Sequence, residues 1–246
     1  MKKNKIFGIE INHGKFSEFI DEFVIVSKSK QSTYSLFMNS HMLHEYHTKE
    51  NFQTVVKNAD YICPDGTPLL YSLNLMRGVK SERIAGNDII FSLIDEAYKN
   101  NLKVFFYGST KNVLDLISSK IKNEYPNLAF KVFSPPFGKF DNSDLEMHSK
   151  MINDFGTNIL FVGLGCPKQE TRMKMFKGKV NALMLGVGGA FLLFAGVDTR
   201  APSWMRRMSL EWLYRLALEP TRLFNRYLIT NTYFCWLFVK ELFKRK

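Results

Sequence analysis

The 246-residue sequence holds only three cysteines, at positions 63, 166 and 235, and none belongs to a Cys-x-x-Cys pair. An odd, widely spaced set excludes a disulfide framework and fits a reducing, cytoplasmic setting. No window approaches ~18 uninterrupted apolar residues, so no membrane-spanning helix is expected. The N-terminus, MKKNKIFGIEINHGK, has lysines but neither a long apolar core nor a small-residue cleavage site, and does not read as a signal peptide.

Several catalytic signatures are also missing. There is no Gly-x-x-x-x-Gly-Lys-Ser/Thr, which excludes a P-loop enzyme, and no Gly-x-Ser-x-Gly nucleophile elbow. Cys166 sits in a Gly-Cys-Pro turn with no histidine near it in sequence. His41, His44 and His47 recur every third residue, but His44-Glu45-Tyr46-His47 is one residue short of His-Glu-x-x-His. On a helix the third histidine is turned ~120° from the first, so no metal site is expected. No Asp-x-Asp occurs, which removes the commonest carboxylate clamp for a divalent cation on a nucleotide diphosphate. A diphosphate would have to be met by Arg, Lys and helix N-termini instead.

What is present is an ordinary globular composition, 46% apolar and 23% charged, with an uneven net charge of +11. From Arg200 to Lys246 there are ten Lys/Arg against three Glu, so a segment under a fifth of the chain carries +7. Such a segment suits a polyanion, either nucleic acid or an anionic membrane surface. Its end, TYFCWLFVKELFKRK, sets Tyr, Phe and Trp beside Lys and Arg, which favours a lipid interface over nucleic acid. A dimer contact or a piece of core is the bland alternative, and an exposed apolar tail could also drive self-association.

Short apolar runs alternate with helical patterns. Tyr34 to Met38, Tyr61 to Cys63, Lys103 to Tyr107, Ala129 to Phe133, Asn158 to Leu164 and Asn181 to Val187 read as strands, and Lys5 to Ile11 as an edge strand. Helices are expected over residues 16–26, from about 40, from about 67, and over 87–99, 111–125 and 143–155, with Pro135 to Gly138 as a loop. This βαβ rhythm predicts an α/β, Rossmann-like, mostly parallel sheet flanked by helices. Residues 1–199 form its core. Residues 200–246 form a helical, basic C-terminal appendage, with helices over 203–218 and 221–228 broken near Pro220. On a wheel that ignores Pro220, Arg215, Glu219, Arg222 and Arg226 share one sector.

In a parallel sheet the ligand sits at the carboxyl ends of the strands. Asn39, Asp65, Ser109-Thr110, Lys168-Gln169 and Gly188-Gly189 all fall there. Pro64-Asp65-Gly66 places a carboxylate at a strand-to-helix corner, and Arg83 follows on the next loop before Gly86-Asn87-Asp88. From spacing alone Asp65 reads equally well as a turn residue or as a base. Gly186-Val-Gly188-Gly189 is poor evidence for a dinucleotide but reasonable evidence for a phosphate near backbone N–H groups. Gly108, Lys168, Gly188 and Gly189 are therefore the candidate nucleotide contacts.

Seven ordered motifs converge on one family. They are Pro64-Asp65-Gly66; Glu82-Arg-Ile-Ala-Gly86; Gly163-Leu-Gly-Cys-Pro-Lys-Gln-Glu170; Gly186-Val-Gly-Gly-Ala-Phe191; Arg200-Ala-Pro-Ser-Trp204; Leu210-Glu-Trp-Leu-Tyr-Arg-Leu216; and Glu219-Pro220 with Arg222 and Arg226. In this order they resemble the WecG/TagA/CpsF glycosyltransferases, from roughly Lys5 to Leu228. The resemblance implies an inverting, metal-independent transferase that needs no cofactor. It would move an N-acetylmannosamine-type sugar from a UDP-sugar to a polyprenyl-diphosphate-linked amino sugar, on the cytoplasmic face of the membrane, in cell-surface polymer synthesis. It also implies that Asp65 is the base, that Asn39, Arg83 and Gln169 contact substrate, and that Arg215, Arg222 and Arg226 of a membrane-docking appendage complete the site. Phe37 and Leu192 stand where the family usually has Thr and Asp. They leave a second reading open, a nucleotide- or lipid-sugar-binding protein of the same fold with impaired catalysis.

Overall fold

Strands β3 (Thr33–Met38), β5 (Val104–Gly108), β7 (Ile159–Gly163) and β8 (Leu183–Gly186) are apolar on both faces because both faces are covered. The computed structural model describes residues 1–136, 138 and 140–243. Six parallel strands form one sheet in the order β4-β3-β8-β7-β5-β6, where β4 is Tyr61–Pro64 and β6 is Phe130–Phe133. Side chains alternate across it. Tyr34, Leu36, Met38, Phe105, Tyr107, Leu160, Val162 and Met184 enter one core; Phe37, Val104, Phe106, Ile159, Phe161, Leu183 and Leu185 enter the other. The expected strands and parallel sheet are thus present.

The first core is covered by α2 (Ser40–Thr48), α3 (Glu50–Lys57), α4 (Thr67–Arg77), α7 (Asn142–Asp154) and α8 (Lys168–Phe176). The second is covered by α1 (Phe16–Ser29), α5 (Gly86–Lys99), α6 (Lys111–Glu124) and α9 (Ala190–Phe194). The single edge strand expected at residues 5–11 is instead a hairpin of β1 (Lys2–Ile6) and β2 (Ile9–His13). Phe7 and Gly8 turn the chain there with φ of 51° and 80°. The Asn12 side chain accepts the Ile62 N–H at 2.8 Å, which fixes the hairpin beside β4.

The C-terminal helices differ from expectation more strongly. The helix expected over 203–218 is two, α10 (Ser203–Arg207) and α11 (Glu211–Leu218), with Ser209 turning the chain at φ 62°. Pro220 does not break a helix but begins one, α12 (Pro220–Phe243), where its missing N–H costs no hydrogen bond. Glu219, at φ −133° and ψ 60°, leaves the helical conformation and separates α11 from α12, so the single sector of Arg215, Glu219, Arg222 and Arg226 does not exist. The aromatic run continues α12. One face, with Leu223, Thr230, Phe234 and Leu237, is buried, and Phe234 and Leu237 join the first core. The other leaves Trp236, Val239, Leu242 and Phe243 exposed. Phe137 of the expected loop and Lys244 to Lys246 of the basic tail lie outside the described residues. No helix among the described residues is long and apolar enough to cross a membrane.

Candidate active site

Asp65 is held by the backbone before its side chain does anything. Its N–H and that of Gly66 both donate to the Met38 carbonyl, at 3.0 and 3.1 Å, so the corner after β4 is pinned to the end of β3. A Cβ on Gly66 would lie 3.1 Å from the Asn39 Cα, so only glycine lets the two loops meet this closely. Asn39 caps α2, its Oδ1 accepting the Met42 N–H at 3.1 Å. On the far side, the Ile84 N–H donates to the Pro64 carbonyl at 2.9 Å and brings the Arg83 loop alongside.

Above this corner is a chain of charges drawn from three segments. Arg83 Nε lies 4.0 Å from Asp65 Oδ1, and its Nη2 lies 2.8 Å from Glu211 Oε2 on α11 and 3.9 Å from Asp88 Oδ2 on α5. Arg200 pairs with Asp88, and Asn87 Nδ2 reaches Glu211 Oε1 at 3.4 Å. Enclosure pushes the Asp65 carboxyl up to about 6; Arg83 and Arg215 oppose the rise, while Glu211 and Asp88 add to it. Burial works in the same direction on Glu211, but the Arg83 hydrogen bond and the charges of Arg83, Arg215 and Arg200 outweigh it and hold Glu211 below the usual range. Asp65 remains 28% exposed and open to a substrate hydroxyl, with its pKa well above the usual carboxylate range.

The sequence-predicted residues separate into two groups. Asn39, Asp65, Arg83, Gly188, Gly189 and Arg215 line one mouth: Arg215 Nη2 lies 3.3 Å from where a Cβ on Gly189 would stand. Gln169, by contrast, is 4% exposed and its amide is occupied. Its Nε2 donates to Gly186 O at 3.0 Å and Glu170 Oε1 at 2.8 Å, and its Oε1 accepts the Gly165 N–H at 3.1 Å. It ties the loops after β7 and β8 together beneath Gly188 and does not point into the open mouth. Glu170 is fully buried; desolvation pushes its carboxyl up to about 7 against the Gln169 hydrogen bond.

Gly108 is buried at φ 112°, and a Cβ there would meet Gly163 O at 2.7 Å, so its glycine serves the approach of β5 to β7. Lys168 is exposed on the first turn of α8. Arg222 pairs with Glu219 at 2.5 and 2.6 Å on the open surface. Arg226 turns toward α2, where its charge bears on His41 and Cys166. Phe37 is 3% exposed and packs in the second core, 3.5 Å from where a Gly86 Cβ would lie, and Leu192 packs partly buried against the same core. Neither offers a polar group to the mouth. The histidine row of α2 faces α12, with His44 and His47 5.1 and 6.0 Å from the Tyr233 ring. Among the described residues no group of three or more His, Cys, Asp or Glu is placed to hold a metal ion.

Glu211, Arg200 and Asp88 were not anticipated as site residues. Glu211 and Arg200 lie within motifs visible in the sequence, Leu210-Glu-Trp and Arg200-Ala-Pro, but nothing local indicates that they fold over Arg83, 128 residues away from Glu211.

Comparison with known proteins agrees with the motifs. The profile of the Glycosyl transferase WecG/TagA/CpsF family matches residues 4–246. Three relatives carry the name N-acetylglucosaminyldiphosphoundecaprenol N-acetyl-beta-D-mannosaminyltransferase. The Bacillus subtilis (strain 168) protein is 36% identical over 169 residues, 68% of this chain and 64% of the relative. The Bacillus spizizenii protein is 33% identical over 172 residues, 70% of this chain and 65% of the relative. The Staphylococcus aureus (strain NCTC 8325) protein is 28% identical over 225 residues, 90% of this chain and 87% of the relative. The chain thus matches just under two thirds of the length of the two Bacillus proteins.

Proposed function

The chain belongs to the WecG/TagA/CpsF glycosyltransferase family, and we propose that it transfers an N-acetylhexosamine, N-acetylmannosamine in the first instance, from UDP to a polyprenyl-diphosphate-linked amino sugar in cell-surface polymer synthesis. The observation that carries this reading is the Asp65 corner: a carboxylate pinned between two strand ends, with its pKa raised to about 6, under a bridge of arginines. Asp65 accepts the proton of an acceptor hydroxyl as that oxygen attacks the anomeric carbon. The bond from that carbon to the UDP oxygen breaks on the opposite face, so the configuration inverts in one displacement. The negative charge gathering on the departing diphosphate is met by Arg83 and Arg215, and no metal ion is required. Arg83 exchanges its Glu211 partner for the diphosphate as substrate binds.

The appendage places this chemistry at a membrane. Trp204, Trp212, Leu228, Trp236 and Phe243 are exposed beside the cationic residues of the segment. That combination suits peripheral binding to an anionic cytoplasmic leaflet, where a polyprenyl-linked acceptor is confined. The test is a screen of UDP-sugars against a short-chain polyprenyl-diphosphate N-acetylglucosamine in EDTA. Transfer from one donor with inversion is expected; strict dependence on added metal would sink the metal-free mechanism. The buried Phe37 ring, which supplies no hydroxyl to the mouth, favours the alternative of a binding protein with impaired catalysis. Calorimetry showing UDP binding with no turnover on any donor would select that alternative.

A further inference from the structure

Beside the active-site mouth, α12 lies along α2, and the two helices leave a groove between them. It is a shallow, open trough of about 480 Å³ lined by His44, Leu228, Ile229, Thr232, Tyr233 and Trp236. A smaller hollow of about 170 Å³ shares Tyr233 and Trp236 and carries the groove on past His47 to the turn of the β1–β2 hairpin. Tyr233 is the common wall, edge-on to His44 at 5.1 Å and 5.5 Å from Trp236.

The groove has a polar end and an apolar end, and their order relative to Asp65 is fixed. Asn39, against which Gly66 of the Asp65 corner packs, is the cap of α2. Two residues past Asn39, in the first turn of α2, His41 lies near the charge of Arg226, whose Nε is buried without a hydrogen-bond partner. Burial and the Arg226 charge lower the His41 pKa, while Glu45, the nearby acid, pairs with Lys49 at 2.7 Å. His44, where the apolar lining begins, lies roughly 7.5 Å along the axis from Asn39 at the rise of an α-helix. Passing away from Asp65, the order is a carboxylate and an amide, a guanidinium beside the first turn of α2, and then aliphatic and aromatic walls that open on exposed Leu228, Ile229 and Trp236.

We propose that this α2–α12 groove binds the first isoprene units of a polyprenyl-diphosphate acceptor, with the diphosphate against Arg226 and the sugar at Asn39 and Asp65. The proposal rests on the sugar-transfer reading for its choice of ligand. Charge complementarity selects the occupant: an amphiphile with an anionic head and a branched hydrocarbon tail matches the order of the groove from head to tail. The rest of the prenyl chain leaves past exposed Trp236 toward the bilayer.

Two measurements on the full chain test this. In the first, Trp204→Phe and Trp212→Phe leave Trp236 as the sole indole, and its emission is followed on titration with geranylgeranyl diphosphate, inorganic diphosphate, or phosphatidylcholine/phosphatidylglycerol vesicles. A saturable blue shift with the prenyl diphosphate and none with inorganic diphosphate is expected, weakened at least fivefold by Thr232→Phe, which fills the groove. A shift produced equally by vesicles and equally sensitive to Thr232→Phe overturns the groove in favour of a bilayer contact. In the second, the ratio of kcat/KM for a long-chain over a short-chain acceptor is compared in wild type and Thr232→Phe. A fall of at least fivefold supports the groove, and an unchanged ratio overturns it while leaving the transferase reading intact. Saturable prenyl-diphosphate binding with no sugar transfer on any donor would uphold the groove and remove the transferase reading.

Discussion

Two carboxylates at the carboxyl ends of the strands, Asp65 and Glu170, have pKa values raised in the same direction, to about 6 and about 7. Desolvation is the main cause for both, yet their surroundings give them different work. Asp65 stands at an open corner, 28% exposed, its nearest cation 4.0 Å away and already engaged elsewhere. Glu170 is fully buried, and one of its oxygens accepts the Gln169 amide. A raised pKa alone therefore does not identify a base; access decides. Asp65 can take a proton from a substrate, whereas Glu170 is shut away with the Gln169 amide and the Cys166 thiol, joining two loops.

The largest expected effect breaks this contrast at its active end. Asp65→Asn should lower transfer by ~10²–10⁴-fold, the usual range for losing a general base. The same change should stabilise the fold. The folded carboxyl binds its proton more tightly than the unfolded one, with a pKa of about 6 against 3.8, so ionised Asp65 costs folding energy at pH 7.5. That cost fades as the pH falls through 6 and is gone below the unfolded value; a neutral amide escapes it by ~1–3 kcal/mol. Thermal unfolding at pH 7.5 and at pH 4 reads this directly: the gain should be full at the first and mostly lost at the second.

Next in size is Arg215→Ala, which removes a cation from the developing diphosphate charge and should reduce kcat by ~10²-fold with little change in stability. Equal loss from Arg222→Ala would show that the separation of these arginines into different directions is wrong. At the buried end, Glu170→Ala leaves the Gln169 amide and a hole in the floor of the site. A loss of ~2–4 kcal/mol in chemical denaturation is expected, and Glu170→Gln should restore most of it. Were Glu170→Gln instead to abolish transfer in a stably folded protein, Glu170 would itself be part of the chemistry. The smallest effect is expected at Arg222, whose exposed pair with Glu219 should be worth under ~1 kcal/mol, with transfer within about twofold of wild type.

The same contrast explains what could be read in advance. The parallel sheet was legible because β3, β5, β7 and β8 each carry apolar side chains on both faces, a local pattern with a single structural meaning. Asp65 was legible as a corner because Pro64 and Gly66 constrain the backbone on either side of it. Three things were not. The Arg83–Glu211 pair depends on how α11 folds back, and its two residues are 128 positions apart. Nothing in the sequence shows that the Gln169 amide makes three internal hydrogen bonds between the loops after β7 and β8. Pro220 reads as a breaker in sequence, but as the first residue of α12 it is a starter, and that one difference sends Arg215, Arg222 and Arg226 in three directions.

Asp65 as an accessible base with a raised pKa is tested most directly by the pH dependence of kcat/KM for sugar transfer by the wild-type chain, which reports the free enzyme. The predicted profile rises about tenfold per pH unit below a midpoint near 6 and levels off above it. A rate that stays flat from pH 8 down to pH 4.5 would contradict the assignment of Asp65.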